Sequence, residues 1–297
     1  MSSITENRTR EERRERRRLR RDKQREANPV RARKMHEARL AATASKWFPL
    51  PEGTPEFNVG CSGWFYWDWR GRFYPDEMPT KNWFSHYART FKTVELNAPF
   101  YSWPTVGTVQ RWRRQAGKRR FLYTVKVCEL ITHIKRFKGT KRLIADFGFI
   151  ADILGPAMGC FLFQLPPSFK YSLATLNLIL RQLDHNRRNV VEFRHPSWWN
   201  ETVFAAFRKT GTIFCSCSGP GLPDHLVKTA DHLYIRFHGT THWYRHDYTD
   251  VELEVWAERI RQSMARYVWA YFNNDRYGFA IKNAKTFLRK FKTRGGL

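Results

Sequence analysis

A chain of 297 residues has room for one large α/β barrel or two ordinary domains, and its 42% hydrophobic content supplies a sizeable core. The 53 Lys and Arg against 27 Asp and Glu leave a net charge of +26, which favours polyanionic partners, chiefly nucleic acid, through salt-sensitive association. No run approaches ~18 apolar residues, so a transmembrane helix is excluded and no membrane partner is expected.

Residues 1–46 are dense in arginine and poor in apolar residues, with 16 Lys and Arg against 7 acids in the first 47 positions. Glu–Arg spacings of three and four support a solvated helix, but nothing here promises a core, so the expectation is a disordered or marginally helical tail. It serves either as an arm that docks on nucleic acid or ribosomes, or as a solubilising extension. The stretch carries no apolar signal segment, and its acids argue against a transit peptide, so a cytoplasmic protein is expected. "WFPLPEGTPEF" (47–57) reads as a Pro-rich linker, with a folded domain over residues 58–297.

From there one theme repeats, a short β-branched or aromatic run followed by a segment of helical period. Strands are predicted at 58–64, 93–97, 121–127, 159–165, 189–194, 211–217, 233–239 and 266–274. The intervening helices include a short one after Pro223, and "AIKNAKTFLRKFK" closes the chain. Eight strands alternating with helices predict a (β/α)8 TIM-type barrel of the α/β class; an open doubly wound sheet remains the alternative.

Strand alternation then assigns the barrel's interior. Glu95 and Asn97, Thr124 and Lys126, Gln164, Glu192 and Arg194, Tyr234, Arg236 and His238, and Asn273 point inward, with Asn274 and Asp275 just beyond the last strand. His195 falls on the opposite face. Six strands end in a polar side chain at their C-terminal ends, the face where barrel enzymes keep their sites. Packing alone does not explain such a set, since each unpaired buried charge costs several kcal/mol.

Lys126, Arg194 and Arg236, with His133 and His238 nearby, match phosphate or carboxylate better than a metal. No cofactor is expected, and a divalent metal is allowed but not favoured. Glu192, flanked by arginines, suits a base or an orienting partner. Aromatic residues ring the same end, among them Trp64, Tyr101, Trp198 and Trp243; they either stack on bases or sugars or fill loop cores. The five cysteines form no C-x-x-C pair and are expected to be reduced and packed. No Walker motif, nucleophile elbow or H-E-x-x-H occurs.

"GCSGWFYWDWRGRFYP", "FKTVELNAPFYSWP", "VKVCELITH", "FQLPPSF", "VEFRHPSWW", "YIRFHG" and "YFNNDRYGFAIKNA" resemble, in order and spacing, the domain of unknown function 72 family, also called YecE-like. The resemblance spans about residues 58–290. It implies a TIM-type barrel with polar positions at Glu95, Asn97, Lys126, His133, Gln164, Glu192, Arg194, His195, Arg236, His238, Asn273, Asn274 and Asp275, and it implies no settled activity. The arginine-rich tail is an addition to the pattern. Where the family tends to place an acid near the end of the sixth strand, this chain reads "FCSCS", which weakens a metal reading further.

The leading expectation is a hydrolase-type enzyme for a phosphate-bearing, nucleic-acid-related substrate. Arg194, Arg236 and Lys126 would hold the anion, and Glu192 would orient or deprotonate the nucleophile. Glu95 and Asn97 would assist, and His238 would shuttle a proton. A non-catalytic RNA- or DNA-binding module and a sugar or sugar-phosphate enzyme are the alternatives; oligomeric state is not legible.

Overall fold

The computed structural model describes residues 10–42, 50 and 56–292. Much of the predicted linker, and residues 1–9 of the predicted tail, lie outside them. Eight strands are present: β1 (Phe57–Cys61), β2 (Thr93–Leu96), β3 (Leu122–Lys126), β4 (Met158–Gln164), β5 (Asn189–Glu192), β6 (Ile213–Ser218), β7 (His232–Phe237) and β8 (Tyr267–Phe272). All pair in parallel, in the order β1-β8-β7-β6-β5-β4-β3-β2. The sheet curls into a (β/α)8 TIM-type barrel, and the open-sheet alternative is set aside.

The last junction, β1 to β2, carries no strand ladder among the described residues. A side chain does the joining instead: Tyr87 Oη accepts from the Cys61 amide (2.8 Å) and donates to the Thr93 carbonyl (3.0 Å). The two strands run close enough that a Cβ on Gly60 would lie 2.4 Å from the Thr93 oxygen, so only glycine fits there.

The outer layer comprises α2 (Trp83–Thr90), α3 (Ala98–Tyr101), α4 (Val106–Ala116), α5 (Lys141–Leu154), α6 (Leu173–Gln182), α7 (Glu201–Thr210), α8 (Asp250–Gln262) and α9 (Phe279–Lys292), with α1 (Arg10–Ala41) preceding the barrel. Their starts are written in the sequence. Thr105, Ser172, Asn200 and Thr249 each cap a helix by accepting from the third residue on, and Thr249 forms a full capping box with Glu252. The helix expected after Pro223 does not form. "GPGLPDH" interrupts the backbone with two prolines and two glycines, so β6 passes to β7 through a loop.

Alternation holds on both faces. Val94, Val191, Phe193, Leu233, Ile235 and Phe237 are buried against the helices, while Leu162, Val190, Ile213, Cys215, Tyr234, Trp269 and Tyr271 fill the barrel. All five cysteines are free and buried. No helix among the described residues is long and apolar enough to cross a membrane.

The expectation that nothing in the tail can bury a core is corrected. Asn28, Ala32 and Met35 share one face of α1 at spacings of four and three, and each is at most 2% exposed. The Asn28 amide donates to the Tyr101 carbonyl, and its oxygen accepts from the Trp103 amide. Arg21 and Arg25 close on Glu129 at 2.8 and 2.9 Å, while His36 and Arg39 close on Asp146, each at 2.9 Å. A helix so polar is held by a narrow apolar seam flanked by ion pairs, a pattern too sparse to register as amphipathic in the sequence.

Candidate functional site

At the C-terminal ends of the strands two carboxylates share one guanidinium. Arg236, on β7, reaches Glu192 of β5 through Nη1 (2.6 Å) and Glu95 of β2 through Nη2 (2.6 Å). All three are at most 1% exposed. Glu95 also accepts from Ser62 Oγ (2.7 Å), Tyr234 Oη (2.6 Å) and Asn97 Nδ2 (3.3 Å). The other oxygen of Glu192 accepts from Arg194 Nε and lies 3.4 Å from His238 Nε2. Every oxygen of this pair of acids is therefore engaged, as buried charges require.

The electrostatics follow from that lattice. Burial alone would raise the Glu192 carboxyl, but Arg194 and Arg236 hold it well below the usual carboxylate range. Burial beside Arg194 and Arg236 pushes His238 well below its ordinary value, so its ring is neutral and Nε2 accepts from Arg194 Nη2 at 3.1 Å. Arg194 is also covered on one face by the Trp243 ring, 4.4 Å away. Among the described residues its Nη1 has no bond. Asn273 Nδ2 stands 3.3 Å from His238 Nδ1.

Lys126 ends β3 inside this group and is 9% exposed. Burial lowers its amine to about 7, with Arg236 and Arg194 adding to the effect and Glu192 and Glu95 opposing it. Its Nζ sits 4.0 Å from the centre of the Phe100 ring, and the edge of that ring meets His133. Burial and the nearby Lys126 hold His133 down at about 4.

The predicted set thus divides. Glu95, Asn97, Lys126, Glu192, Arg194, Arg236, His238 and Asn273 form one connected cluster, with His133 at its edge. Three assignments are corrected. Arg236 is not a free anion holder, because the two glutamates consume the donor pair of its fork. Trp198 is no wall of the mouth: it is fully buried, stacked 3.9 Å on Phe193, with its indole donating to the Phe169 carbonyl. Asn274 turns away once β8 ends, donating to the His246 carbonyl and to Asn283 Oδ1.

The other expected residues make contacts of their own, Gln164 in register with Glu192 on the neighbouring strand. Gln164 donates to the Leu165 carbonyl. Asp275 is held up at about 6 by burial. Tyr101 is exposed beneath Arg21 of α1, and Trp64 is half-buried against Phe84. His195, past the end of β5, caps the turn at Pro196–Trp198 by accepting from the Ser197 amide.

Two participants escaped the sequence reading. Ser62 anchors Glu95, and Cys217 lies with Glu192 and His238 so that one donor atom from each falls within 4.8 Å of the others. The inward phase of β6, Ile213-Cys215-Cys217, is the signal that would have found Cys217. The three donors form a mixed thiol, imidazole and carboxylate set. Arg194 already bonds both Glu192 and His238, and a cation there would have to displace a guanidinium.

Comparison with known proteins agrees with this architecture. The family described as "Protein of unknown function DUF72" matches residues 58–296. The UPF0759 protein YunF of Bacillus subtilis is 24% identical over 266 residues, covering 77% of this chain and 93% of the relative. A crystal structure of a DUF72 family protein from Thermotoga maritima superposes with a TM-score of 0.72 at 27% identity, covering 80% of this chain and all of that one. One from Enterococcus faecalis gives 0.69 at 17% identity, covering 81% and 97%, a likeness of fold alone.

Proposed function

The chain belongs to the DUF72 family, and on that footing we propose that its barrel mouth is an enzyme site, hydrolytic in type, for a phosphate-bearing substrate drawn from nucleic acid. The observation that carries this is the buried Glu95–Arg236–Glu192–Arg194 lattice at the face where barrel sites form. A stable core does not need it, since replacing such networks with apolar side chains is often neutral or stabilising. What the lattice does is orient. It holds the Arg194 guanidinium against Glu192 and His238 through Nε and Nη2, which leaves Nη1 for a ligand oxygen.

Two acids against two guanidiniums make the lattice neutral, so attraction for an anion comes from Arg194 Nη1, the half-buried amide of Asn273 and the fraction of Lys126 that is protonated. Glu192 acts as an orienting partner rather than a base, because its proton affinity is suppressed. The group poised to move a proton near neutral pH is Lys126. The five free, buried cysteines favour a reducing compartment, in keeping with a cytoplasmic protein.

The test is turnover of phosphodiesters and phosphomonoesters, together with phosphate binding, by the wild type and by Arg194→Met. The reading expects a loss of at least tenfold in the variant. Absence of turnover, with phosphate affinity unchanged by the substitution, rejects it.

One observation favours the non-catalytic nucleic-acid-binding reading: the docked α1 exposes Arg14, Arg16, Arg17, Arg18 and Arg20. It expects RNA or DNA affinity to fall steeply with salt and to lose most of that slope when residues 1–42 are deleted. A two-carboxylate glycosidase is not favoured, because Glu95 and Glu192 are both buried on Arg236.

A further inference from the structure

We propose that Lys126 is a covalent amine nucleophile, forming an imine with an aldehyde or ketone carbonyl carried by the phosphate-bearing substrate. The mouth holds two carboxylates, and a buried ammonium would ordinarily take one of them. Here Arg236 bridges both, and Arg194 occupies the remaining side of Glu192. Among the described residues no carboxylate comes within 4.0 Å of Lys126 Nζ, which lies over the face of Phe100.

The Phe100 face offers the ammonium a weak cation–π contact, which does not replace a carboxylate against burial and two guanidiniums. The groups around the amine are Glu95 on β2, Glu192 and Arg194 at β5, Arg236 on β7 and His133 after β3. The acids are spent on the arginines and the histidine is neutral, so the uncompensated influence is cationic. The result is a primary amine that is in good part unprotonated near neutral pH, at the C-terminal end of the barrel strands and still 9% exposed. That is the condition under which a lysine attacks a carbonyl carbon.

The step is balanced with water as the proton source. The nitrogen lone pair forms a C–N bond as the carbonyl π bond breaks, and a proton passes from the nitrogen to the oxygen to give a neutral carbinolamine. One proton from solvent then lets the hydroxyl leave as water, giving a protonated imine; water reverses the step and returns the proton. Arg194, held rigid by Glu192 and Trp243, stands beside the amine's surroundings to receive the substrate's phosphate. This last clause rests on the function proposed above; the imine does not.

The experiment is reductive trapping on the full-length protein. Glycolaldehyde phosphate, glycolaldehyde and an oligonucleotide bearing an abasic aldehyde are each incubated with the protein and sodium cyanoborohydride, and the modified lysine is located by peptide mass spectrometry. The expected result is one dominant adduct on Lys126, with a labelling rate half-maximal near pH 7. Adducts confined to other lysines, or labelling of Lys126 that begins only above about pH 9, overturn the proposal.

Mapping on the wild type needs no variant; Lys126→Met, which is uncharged and of similar length, should abolish the adduct while retaining the fold. Equal trapping of glycolaldehyde with and without phosphate supports the imine and removes the phosphate reading. Preference of at least tenfold for the phosphorylated compound supports both. Preference for the abasic oligonucleotide over glycolaldehyde phosphate identifies nucleic acid as the source.

Discussion

Glu192→Gln is the sharpest perturbation of this fold, because it removes one charge from the lattice and almost no volume. Glu192 is fully buried and accepts from Arg236 at 2.6 Å and from Arg194, with His238 at 3.4 Å. Glutamine keeps one acceptor but turns an NH2 group toward a guanidinium, leaving two buried cations with Glu95 as their single acid. Breaking a buried pair on one side costs about 3–5 kcal/mol. Against a total stability of about 5–15 kcal/mol, that is a large fraction. With a urea slope of about 2–3 kcal/mol per molar, the midpoint should drop by about 1–2 M at pH 7, with the slope unchanged.

The effect has a signed pH dependence. The folded carboxyl titrates well below its ordinary value. Its stabilisation is therefore complete above about pH 4.5 and lost as pH falls toward the folded value, where the unfolded chain holds the proton and the native state does not. The gap between wild type and variant should narrow through that acid window. Equilibrium urea unfolding at pH 7 and pH 4 checks both parts. A midpoint change under about 0.3 M at pH 7 would refute the account of the lattice as the electrostatic keystone of the mouth.

Four other outcomes are expected. Tyr87→Phe leaves the Cys61 amide and the Thr93 carbonyl unpartnered at the seam and should cost about 1–3 kcal/mol by urea unfolding; a neutral result would mean the seam closes without it. Asp275→Asn should stabilise the protein at pH 7 by about 1–3 kcal/mol, because burial holds the acid at about 6 and wild-type stability is lost as pH rises through that value; the gain should vanish below about pH 4. Glu129→Ala strips Arg21 and Arg25 of their anchor, so amides in residues 14–28 should exchange at least tenfold faster with barrel strands unaffected. Trp198→Ala should cost about 3–5 kcal/mol yet leave ligand affinity intact, since the indole is a core element; a selective loss of binding would restore it to the mouth.

The barrel was legible because strand alternation is a local property, and the same periodicity placed Glu95, Lys126, Glu192, Arg236 and His238 on one face. What alternation cannot say is which cation takes which acid. That depends on strand register and side-chain reach, so Arg236 read as an anion holder when it is a bridge. Residues past the strand ends were the least legible. Pro196 starts a tight turn that swings Trp198 back onto Phe193, and the end of β8 releases Asn274 toward Asn283. The docking of α1 was hidden because three residues at helical spacing, Asn28, Ala32 and Met35, carry it within a stretch dominated by charge.

The side-chain anchors of α1 on Glu129 and Asp146 lie 104 to 110 residues further along the chain. Closing a loop of that length costs about 4 kcal/mol of chain entropy, so the helix docks only once those partners are themselves held in place. At synthesis rates of about 5–20 residues per second, α1 emerges some 5–20 seconds before its berth exists. During that interval the arginines of α1 have only the acids of their own helix, such as Glu15 beside Arg18 and Asp22 beside Arg25, as partners. The folding of the barrel and the docking of its first helix are thus sequential events, and docking marks the end of the birth of the molecule rather than its beginning.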